Sequence, residues 1–334
     1  MIITIARKIP QAPDAQFNAV EVSPLGPAIS CILPTLGRGP TLCETIHMLM
    51  DQSLPAHEVI VVDQTPRHDA NTECLLAAWQ QQRVIQWLRQ PEPNASKARN
   101  TGALAATGNV LLFLDDDIRI EHDFLFSYAE AFSDENVDAV CGPVLEGDAK
   151  LVSELPSRAL LSELGWLLHF PKNYANHCHT SFMMSGNMAV RRGLFLSLGG
   201  MDENYEKGAY REESDFAMRF RQAGYRFCYS PKCRLFHLGA SGAPGGGART
   251  WQNLGAFWYF HHCVGDWYFN LGFANIRNAA SLLARSLRHF VINRQGLNNP
   301  WRIPFAFLYW LAALPVAARK RLSGPRLLRS NSST

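Results

Sequence analysis

Three consecutive aspartates, Asp115, Asp116 and Asp117, directly follow an apolar run from Leu111 to Leu114. Such a run is typical of a buried strand, so the carboxylates would lie where the strand ends. Adjacent carboxylates repel one another, and burial makes their charges still less favourable. A divalent cation such as Mg²⁺ or Mn²⁺ relieves both effects, because it prefers carboxylate oxygens and also binds phosphate oxygens. An acidic turn or a helix cap is the alternative interpretation of the same residues.

Four further groups of polar residues lie at the ends of predicted strands or the starts of predicted helices. They are Pro34, Thr35 and Arg38 after the first strand, Asp63 at the end of the second, Lys97, Arg99 and Asn100 on one helix, and Glu212, Glu213 and Asp215 on another. Cationic side chains and backbone N–H groups at a helix start suit a diphosphate. His237 ends the segment CRLFH, and a neutral imidazole there could complete a metal site.

Short apolar runs alternate with helix-like segments through the first 114 residues. Strands are predicted at 28–34, 58–63, 84–88 and 110–114, and helices at 41–50, 73–83 and 96–106. This alternation predicts a mostly parallel α/β sheet whose carboxyl edge gathers the polar residues. Further strands are predicted at 139–145, 188–190, 226–229 and 233–237, and further helices at 192–198 and 215–223.

Length and composition indicate a globular protein with a sizeable core. The chain has 334 residues, of which 47% are hydrophobic and 18% charged, enough for one large domain with an appendage. Its eight cysteines are scattered without a CxxC pair, which indicates buried thiols in a reducing compartment. The first nine residues are interrupted by Arg7 and Lys8 and do not resemble a signal peptide, so a cytoplasmic location is expected.

The last 64 residues differ in charge from the rest of the chain. They contain ten Arg or Lys and no Asp or Glu, whereas the first 270 residues contain 22 basic and 29 acidic residues. An amphipathic helix is predicted at 273–291, followed by an uncharged run at 303–318 that is shorter than the roughly 20 residues of a spanning helix. We expect a basic helical tail on the cytosolic membrane surface, and the alternative is a tail packed on the body. A nucleic-acid interface is not expected, since no basic sheet face carries stacking aromatics.

Seven segments of the chain recur, in the same order and spacing, in a known enzyme family. They are SCILPTLGR, EVIVVDQTP, ASKARNTGALAATGNVLLFLDDD, SGNMAVRR, LGGMDENY, REESDFAMRFRQAGYRFCYSP and LFH. Together they resemble the family-2 inverting glycosyltransferases of GT-A fold, from about Ile29 to His237. The glycine-rich segment that ends at Arg249 is similar to a subgroup related to bacterial rhamnosyltransferases. The resemblance implies a GT-A domain at 28–250, between an N-terminal lead-in at 1–27 and the basic tail at 251–334.

The resemblance also implies roles on the donor side. Asp63 would bind the nucleotide base and Asp115 the ribose, while Asp117 and His237 would coordinate Mg²⁺ or Mn²⁺. The other residues of the donor site would be Pro34, Thr35, Arg38, Arg99 and Asp116. Two roles have simpler alternatives, since Asp63 could merely cap a turn and His237 could be an ordinary core histidine.

On the acceptor side, Gly186, Asn187 and Glu212 would contact the sugar or the acceptor, and Glu213 would be the catalytic base. The family usually has Glu-Asp at this position, with the Asp as the base. This chain has Glu212-Glu213, and the extra methylene alters the placement of the carboxylate, so Glu212 and Asp215 remain alternatives. The segment SGN could instead be only a tight turn.

The implied activity is a metal-dependent, inverting hexosyl transfer in cell-surface polysaccharide synthesis. The donor would be a UDP-, dTDP- or GDP-linked sugar, and the acceptor a hydroxyl of a glycan or of a lipid-linked molecule. Two alternatives stay open. A sugar nucleotidyltransferase would favour a glycine-rich, basic loop after the first strand, where this chain has only TLGRG. A non-catalytic membrane-associated protein could also have kept the fold.

Overall fold

The computed structural model describes residues 26–155, 170–180, 183–207, 209–239, 259–275 and 277–328. Almost all of the predicted lead-in and the whole glycine-rich segment therefore lie outside the described residues. The predicted boundary between the GT-A domain and the tail at 250/251 also lies outside them.

The predicted alternation of strands and helices is present in the N-terminal half. The strands are β1 (Ile29–Thr35), β2 (Glu58–Asp63), β3 (Gln86–Arg89) and β4 (Val110–Leu114), and the helices are α1 (Pro40–Met50), α2 (Ala70–Gln81) and α3 (Ala95–Ala105). β1 pairs in parallel with both β2 and β4, and β2 pairs in parallel with β3. All five residues of β4 are buried, as expected of a parallel strand covered on both faces.

The second half adds short strands of mixed direction. Its elements are β5 (Ile118–Arg119), α4 (Phe124–Phe132), β6 (Ala139–Cys141), β7 (Val144–Glu146), β8 (Cys178–Thr180), β9 (Asn187–Arg191), α5 (Arg192–Ser197), α6 (Glu212–Gln222), β10 (Phe227–Tyr229) and β11 (Leu235–His237). The main sheet has the order β3-β2-β1-β4-β9-β6-β10-β8, and a smaller sheet has the order β5-β11-β7. Four of the seven neighbouring pairs described in the main sheet are parallel, but β9 runs antiparallel to β4 and β6.

Two sequence predictions in this half need correction. The strand predicted at 139–145 is two strands in different sheets, because Pro143 lacks an N–H and a β-carbon at Gly142 would overlap the Cys233 carbonyl. The helix predicted from Asp215 begins at Glu212, so the glutamates form its first turn instead of preceding it. Strands β5 and β8 and helix α4 were not predicted.

The main sheet has a hydrophobic core on each face. Leu111 and Phe113 of β4 belong to one core, and Leu112 and Leu114 belong to the other, as the alternation of a strand requires. Helices α1, α2 and α4 contribute to the second core, while α3, α5 and α6 contribute to the first. The chain therefore forms a three-layer α/β structure.

The C-terminal region consists of helices that share the first core. They are α7 (Tyr259–Phe273), α8 (Ala279–Phe290), α9 (Arg294–Asn298) and α10 (Arg302–Ser323). Tyr268 of α7 and Trp310 of α10 lie in the same buried cluster as Phe216 of α6, and Trp267 Nε1 donates to the Trp310 carbonyl at 2.8 Å. The described part of the tail thus packs on the body. Contact of the tail with a membrane stays a prediction. In the described residues, no helix is both long enough and apolar enough to cross a bilayer.

Candidate active site

The three aspartates follow β4 and differ in their contacts. Thr35 Oγ1 donates to Asp116 Oδ2 at 2.6 Å, and the Arg38 guanidinium donates to Asp117 Oδ2 at 2.8 Å. Burial raises the pKa of Asp116 to about 7, and the neighbouring aspartates act in the same direction. The side chain of Asp115 is 20% exposed, against 2% for Asp117. Thr35, the last residue of β1, and Arg38 of the following loop therefore bind Asp116 and Asp117, and Asp115 is left more exposed than Asp117.

His237, at the end of β11, lies beside the triplet because β11 pairs with β5, the strand that follows the aspartates. Its Nε2 is 3.2 Å from Asp117 Oδ1 and 3.8 Å from Asp115 Oδ2. The fold thus brings together the two residues predicted as metal ligands. No group of three or more His, Cys, Asp or Glu within the described residues forms a complete cation site. A Mg²⁺ or Mn²⁺ ion held here would need further oxygens from a diphosphate or from water.

Arg99 of α3 connects the triplet to the glutamates. Its guanidinium donates to Glu212 Oε1 and lies 3.8 Å from Asp115 Oδ1. Ser96, one turn earlier on the same face of α3, donates to Glu212 Oε2 at 2.6 Å. Burial raises the pKa of Glu212, while the charge of Arg99 acts in the opposite direction. Glu212 is therefore an internal carboxylate held by α3.

Glu213 is the half-buried neighbour of Glu212 on the first turn of α6. The Ser185 hydroxyl lies 3.3 Å from Glu212 Oε1 and 3.3 Å from Glu213 Oε2, so one serine links both carboxylates. Asp215 is only 2% exposed and accepts a hydrogen bond from Arg219 Nε at 2.7 Å. Of the three acids considered as the base, Glu213 alone has appreciable exposed surface.

The start of α6 is fixed by a contact with the C-terminal helices. Arg211 precedes the helix in the left-handed conformation, with φ 78°, and its Nε donates to Asp266 Oδ1 of α7 at 3.1 Å. Both side chains are buried, at 7% and 2% exposure. The position of Glu213 therefore depends on α7, a helix that the sequence did not predict.

The segment SGN leads from a turn into β9. A β-carbon at Gly186 would overlap the Asp115 carboxylate, and the Gly186 carbonyl accepts from the Asp115 N–H at 3.3 Å. Asn187 is fully buried, accepts from the Tyr128 hydroxyl at 2.8 Å and donates to the carbonyls of Pro143 and Cys233. Asn187 offers no surface to a sugar in this conformation, which supports the structural alternative for this residue.

Asp63 ends β2 with its carboxylate surrounded by donors. The donors are Thr65 N at 2.8 Å, His68 Nε2 at 2.7 Å, Trp87 Nε1 at 3.0 Å and Arg89 at 3.0 Å. Arg89 stands opposite Asp63 in the β2–β3 register, and Pro34 stands opposite Val62 in the β1–β2 register. The binding of a base by Asp63 stays a prediction.

Sequence reasoning missed several residues of this neighbourhood. They are His68, Trp87 and Arg89 around Asp63, Ser96 and Ser185 around the glutamates, and the Arg211–Asp266 pair. Ser96 could have been found from its helical spacing to Arg99, and Ser185 from its position next to Gly186. The other contacts depend on pairings between distant elements, which the residue pattern does not reveal.

Parts of the sequence are similar to known proteins. A family model described as glycosyl transferase family 2 matches residues 30–199, just over half of the chain. The O-antigen chain rhamnosyltransferase WbaN of Salmonella anatum is 26% identical over 215 residues, which cover 63% of this chain and 66% of that protein. A pre-mycofactocin glycosyltransferase of Mycobacterium tuberculosis is 28% identical over 188 residues, which cover 55% of this chain and 38% of that protein. The chain thus spans less than two thirds of the length of each of these relatives.

Two solved structures share the fold. The mannosyltransferase PcManGT from Pyrobaculum calidifontis, in complex with GDP-Man and Mn²⁺, is 21% identical with a TM-score of 0.52, and the match covers 90% of this chain and 79% of that one. GalNAc-T7 with UDP, GalNAc and Mn²⁺ is 17% identical with a TM-score of 0.53, and the match covers 80% and 55%. These likenesses confirm the predicted GT-A architecture with a helical C-terminal region. Since the family model matches more than half of a chain with this architecture, the chain belongs to glycosyl transferase family 2.

Proposed function

We propose that this protein transfers a sugar from a nucleoside diphosphate to a hydroxyl group with inversion at the anomeric carbon. One observation carries the proposal: two separate carboxylate clusters flank Arg99, which binds Glu212 and lies 3.8 Å from Asp115. Inverting transfer needs one base for the acceptor hydroxyl and, separately, positive charge near the departing diphosphate. The two clusters can meet these two needs without sharing a residue.

On the donor side, Asp117 Oδ1 and His237 Nε2 are the groups that would hold a Mg²⁺ or Mn²⁺ ion. They are 3.2 Å apart, and Asp117 Oδ2 is bonded to Arg38, which limits the charge that the ion must balance. The bound ion would neutralise charge on the diphosphate leaving group. A nitrogen ligand favours Mn²⁺ over the harder Mg²⁺, so we expect tighter binding of Mn²⁺.

On the acceptor side, Glu213 would accept the proton of the attacking hydroxyl. Its partial exposure supports this role, since Glu212 and Asp215 are each only 2% exposed and bonded within the protein. Glu212, held by Arg99 and Ser96, would position Glu213 through the shared contact with Ser185. The general base and its support would thus belong to one hydrogen-bonded unit.

The acceptor we propose is a glycan or a lipid-linked molecule in the assembly of a cell-surface polysaccharide, at the cytosolic face of the membrane. The similarity to an O-antigen chain rhamnosyltransferase supports this class of acceptor. The donor we propose is a UDP-, dTDP- or GDP-linked sugar. The nucleotidyltransferase alternative is disfavoured, because Arg38 of the β1 loop is bonded to Asp117 and not presented as part of a phosphate-binding loop.

The first test is thermal unfolding with UDP, dTDP or GDP, each with Mn²⁺, Mg²⁺ or EDTA. A ligand that binds only the native state raises the melting temperature. We expect one nucleotide to raise it only when a metal is present, and we expect Asp117→Asn to remove the effect. Asp51→Asn, at an exposed position after α1, is the matched control. Folded wild-type protein that responds to no nucleotide would favour the non-catalytic alternative.

A further inference from the structure

Helix α10 is apolar around most of its circumference, yet only one side of it is buried. Ala306, Trp310, Ala313 and Ala317 are each at most 4% exposed, and they recur at the spacing of one helical face. The opposite side carries Trp301, Phe305, Leu308, Leu311 and Leu322, which are 66%, 54%, 60%, 45% and 75% exposed. We call these five residues the docking face. Four of them form a stripe of large apolar side chains along the N-terminal half of the helix, and Leu322 lies on the same side near its C-terminal end.

This exposure is unusual within the molecule itself. Helices α1, α2, α3 and α4 each expose one large hydrophobic residue, namely Met50, Leu75, Leu104 and Phe126. Within α10, seven such residues are exposed, and Leu297 of α9 beside it is 61% exposed. Single exposed hydrophobics are normal on a protein surface, whereas a contiguous patch marks an interaction site.

The charge around the docking face indicates what covers it. No Asp or Glu occurs from Leu271 to Thr334, while ten Arg or Lys do, of which Lys320, Arg321 and Arg326 pair with carboxylates of the body. Arg288, Arg294 and Arg319 are exposed on α8, α9 and α10, and the Arg302 guanidinium lies 5.7 Å from the Trp301 ring centre. A tryptophan next to arginines at the start of an apolar helix is typical of a segment that lies at the membrane–water interface.

A second copy of the chain fits this surface less well. A two-fold contact would bring the same basic region of two copies together, without a carboxylate in that region to pair with the arginines. An anionic bilayer supplies both the apolar phase for the side chains and the negative charge for the arginines.

We propose that the docking face inserts into the interfacial layer of a membrane that contains anionic phospholipid. The helix lies in the plane of the membrane, because one of its sides packs on the body and the opposite side carries the docking face. Because α10 packs on α7, and Asp266 of α7 binds Arg211 before Glu213, a series of contacts joins the membrane-facing helix to the candidate base. That this contact serves a lipid-linked acceptor rests on the proposed function, whereas the lipid contact itself does not.

The test is co-sedimentation of the full chain with vesicles of phosphatidylcholine, with and without phosphatidylglycerol. We expect wild-type protein to bind only the anionic vesicles, and more weakly as salt is raised. The variant Trp301→Ser/Phe305→Ser/Leu308→Ser should bind about tenfold or more weakly, because three interfacial anchors are lost. The matched variant Leu75→Ser/Leu104→Ser/Phe126→Ser removes equally exposed hydrophobics elsewhere and should bind as wild type does.

Three results would overturn the proposal. They are wild-type protein that ignores anionic vesicles, a docking-face variant that binds as well as wild type, and a stable wild-type dimer that the same variant converts to monomer. Unfolding curves check that both triple variants are folded, which is expected because the replaced side chains are exposed. Nucleotide binding is measured in parallel on the same proteins. Vesicle binding without any nucleotide response would contradict the proposed function and leave the membrane proposal intact.

Discussion

The aspartate triplet and the glutamate pair are both carboxylate clusters, but the chain neutralises them in different ways. The triplet is bound by Thr35 at the end of β1 and by Arg38, and it is approached by His237, so that Asp117 Oδ1 lies near an imidazole. The glutamate pair is held from α3, where Arg99 and Ser96 take both oxygens of Glu212. The first arrangement suits a cluster that receives an ion, and the second suits one that receives a proton.

The two clusters nevertheless share one design. Each has a buried carboxylate that is bonded within the protein, Asp116 or Glu212, next to a more exposed one, Asp115 or Glu213. Burial raises the pKa of both inner carboxylates. Burying the charged inner carboxylate costs free energy. We infer that the inner carboxylate is buried because it fixes the position of the outer one. Substitutions at the inner and the outer residues should therefore have different effects.

The largest effect is expected for the outer glutamate. Glu213→Gln keeps the size and the Ser185 contact but removes the base, so kcat should fall by about 10²- to 10⁴-fold. Binding of the donor nucleotide with Mn²⁺ should be unchanged. Steady-state kinetics and nucleotide titration measure the two effects separately.

The control for this substitution is Glu44→Gln, at an exposed position of α1. A folded Glu213→Gln enzyme with wild-type kcat would rule out Glu213 as the base. Glu212 and Asp215 would then remain as candidates for the base, despite their burial.

The next effect concerns the inner glutamate. Arg99→Met and Glu212→Gln each leave one buried group without its partner, and each should destabilise the fold by about 3–5 kcal/mol. The double variant should lose much less than the sum, because it removes both charges of the buried pair. Urea unfolding of the four proteins gives the coupling energy. Additive losses would show that the pair does not act as a unit.

The sequence predicted those parts of the fold and site that depend on local pattern. Strands β2 and β4 were predicted with their observed bounds, because a continuous apolar run ends in a carboxylate in each. The meeting of Asp117 and His237 was predicted from the rule that strand ends gather ligands, together with the resemblance to the family. Their contact at 3.2 Å bears out the meeting, though not yet the binding of a metal.

The sequence did not predict the features that depend on strand direction or on contacts between distant residues. The antiparallel direction of β9 is not encoded in which of its residues are apolar. Helix α7 was missed because its buried residues run almost continuously from His262 to Asp266, so it lacks a clear helical periodicity. The Arg99–Glu212 pair joins residues 113 positions apart, and no local signal connects them.

A smaller effect is expected at the glycine that allows Asp115 its position. Gly186→Ala adds a methyl group that overlaps the Asp115 carboxylate, so the carboxylate must move. We expect about a tenfold loss of donor affinity, equivalent to about 1.4 kcal/mol, with little change in kcat. Isothermal titration with the donor nucleotide measures the affinity. Gly193→Ala is the control, since nothing lies within 4 Å of its added methyl group. Equal losses of donor affinity in the two variants would show that Gly186 has no specific role.

The smallest effect is expected on stability, at Glu58, a carboxylate at the opposite end of the sheet from the site. Burial alone would raise the pKa of Glu58, but hydrogen bonds from Thr107, Ser30 and Gly108 together lower it. A lowered pKa stabilises the fold above the unfolded-state value, and this contribution is lost as the pH falls through the folded-state value. Glu58→Gln should therefore cost about 1 kcal/mol or less at pH 7, since Glu58 is partly exposed, and almost nothing in acid.

Asp116→Asn should show the opposite slope, which makes it the matched comparison for Glu58→Gln. The pKa of Asp116 is raised from 3.8 to about 7, so its contribution is present in acid and is lost as the pH rises towards 7. Unfolding free energies in EDTA, as differences from wild type between pH 4 and 8, measure both slopes. Slopes of the same sign would mean that burial does not govern Asp116. Glu58, whose pKa is lowered by hydrogen bonds, and Asp116, whose pKa is raised by burial, would then not differ in how they contribute to stability.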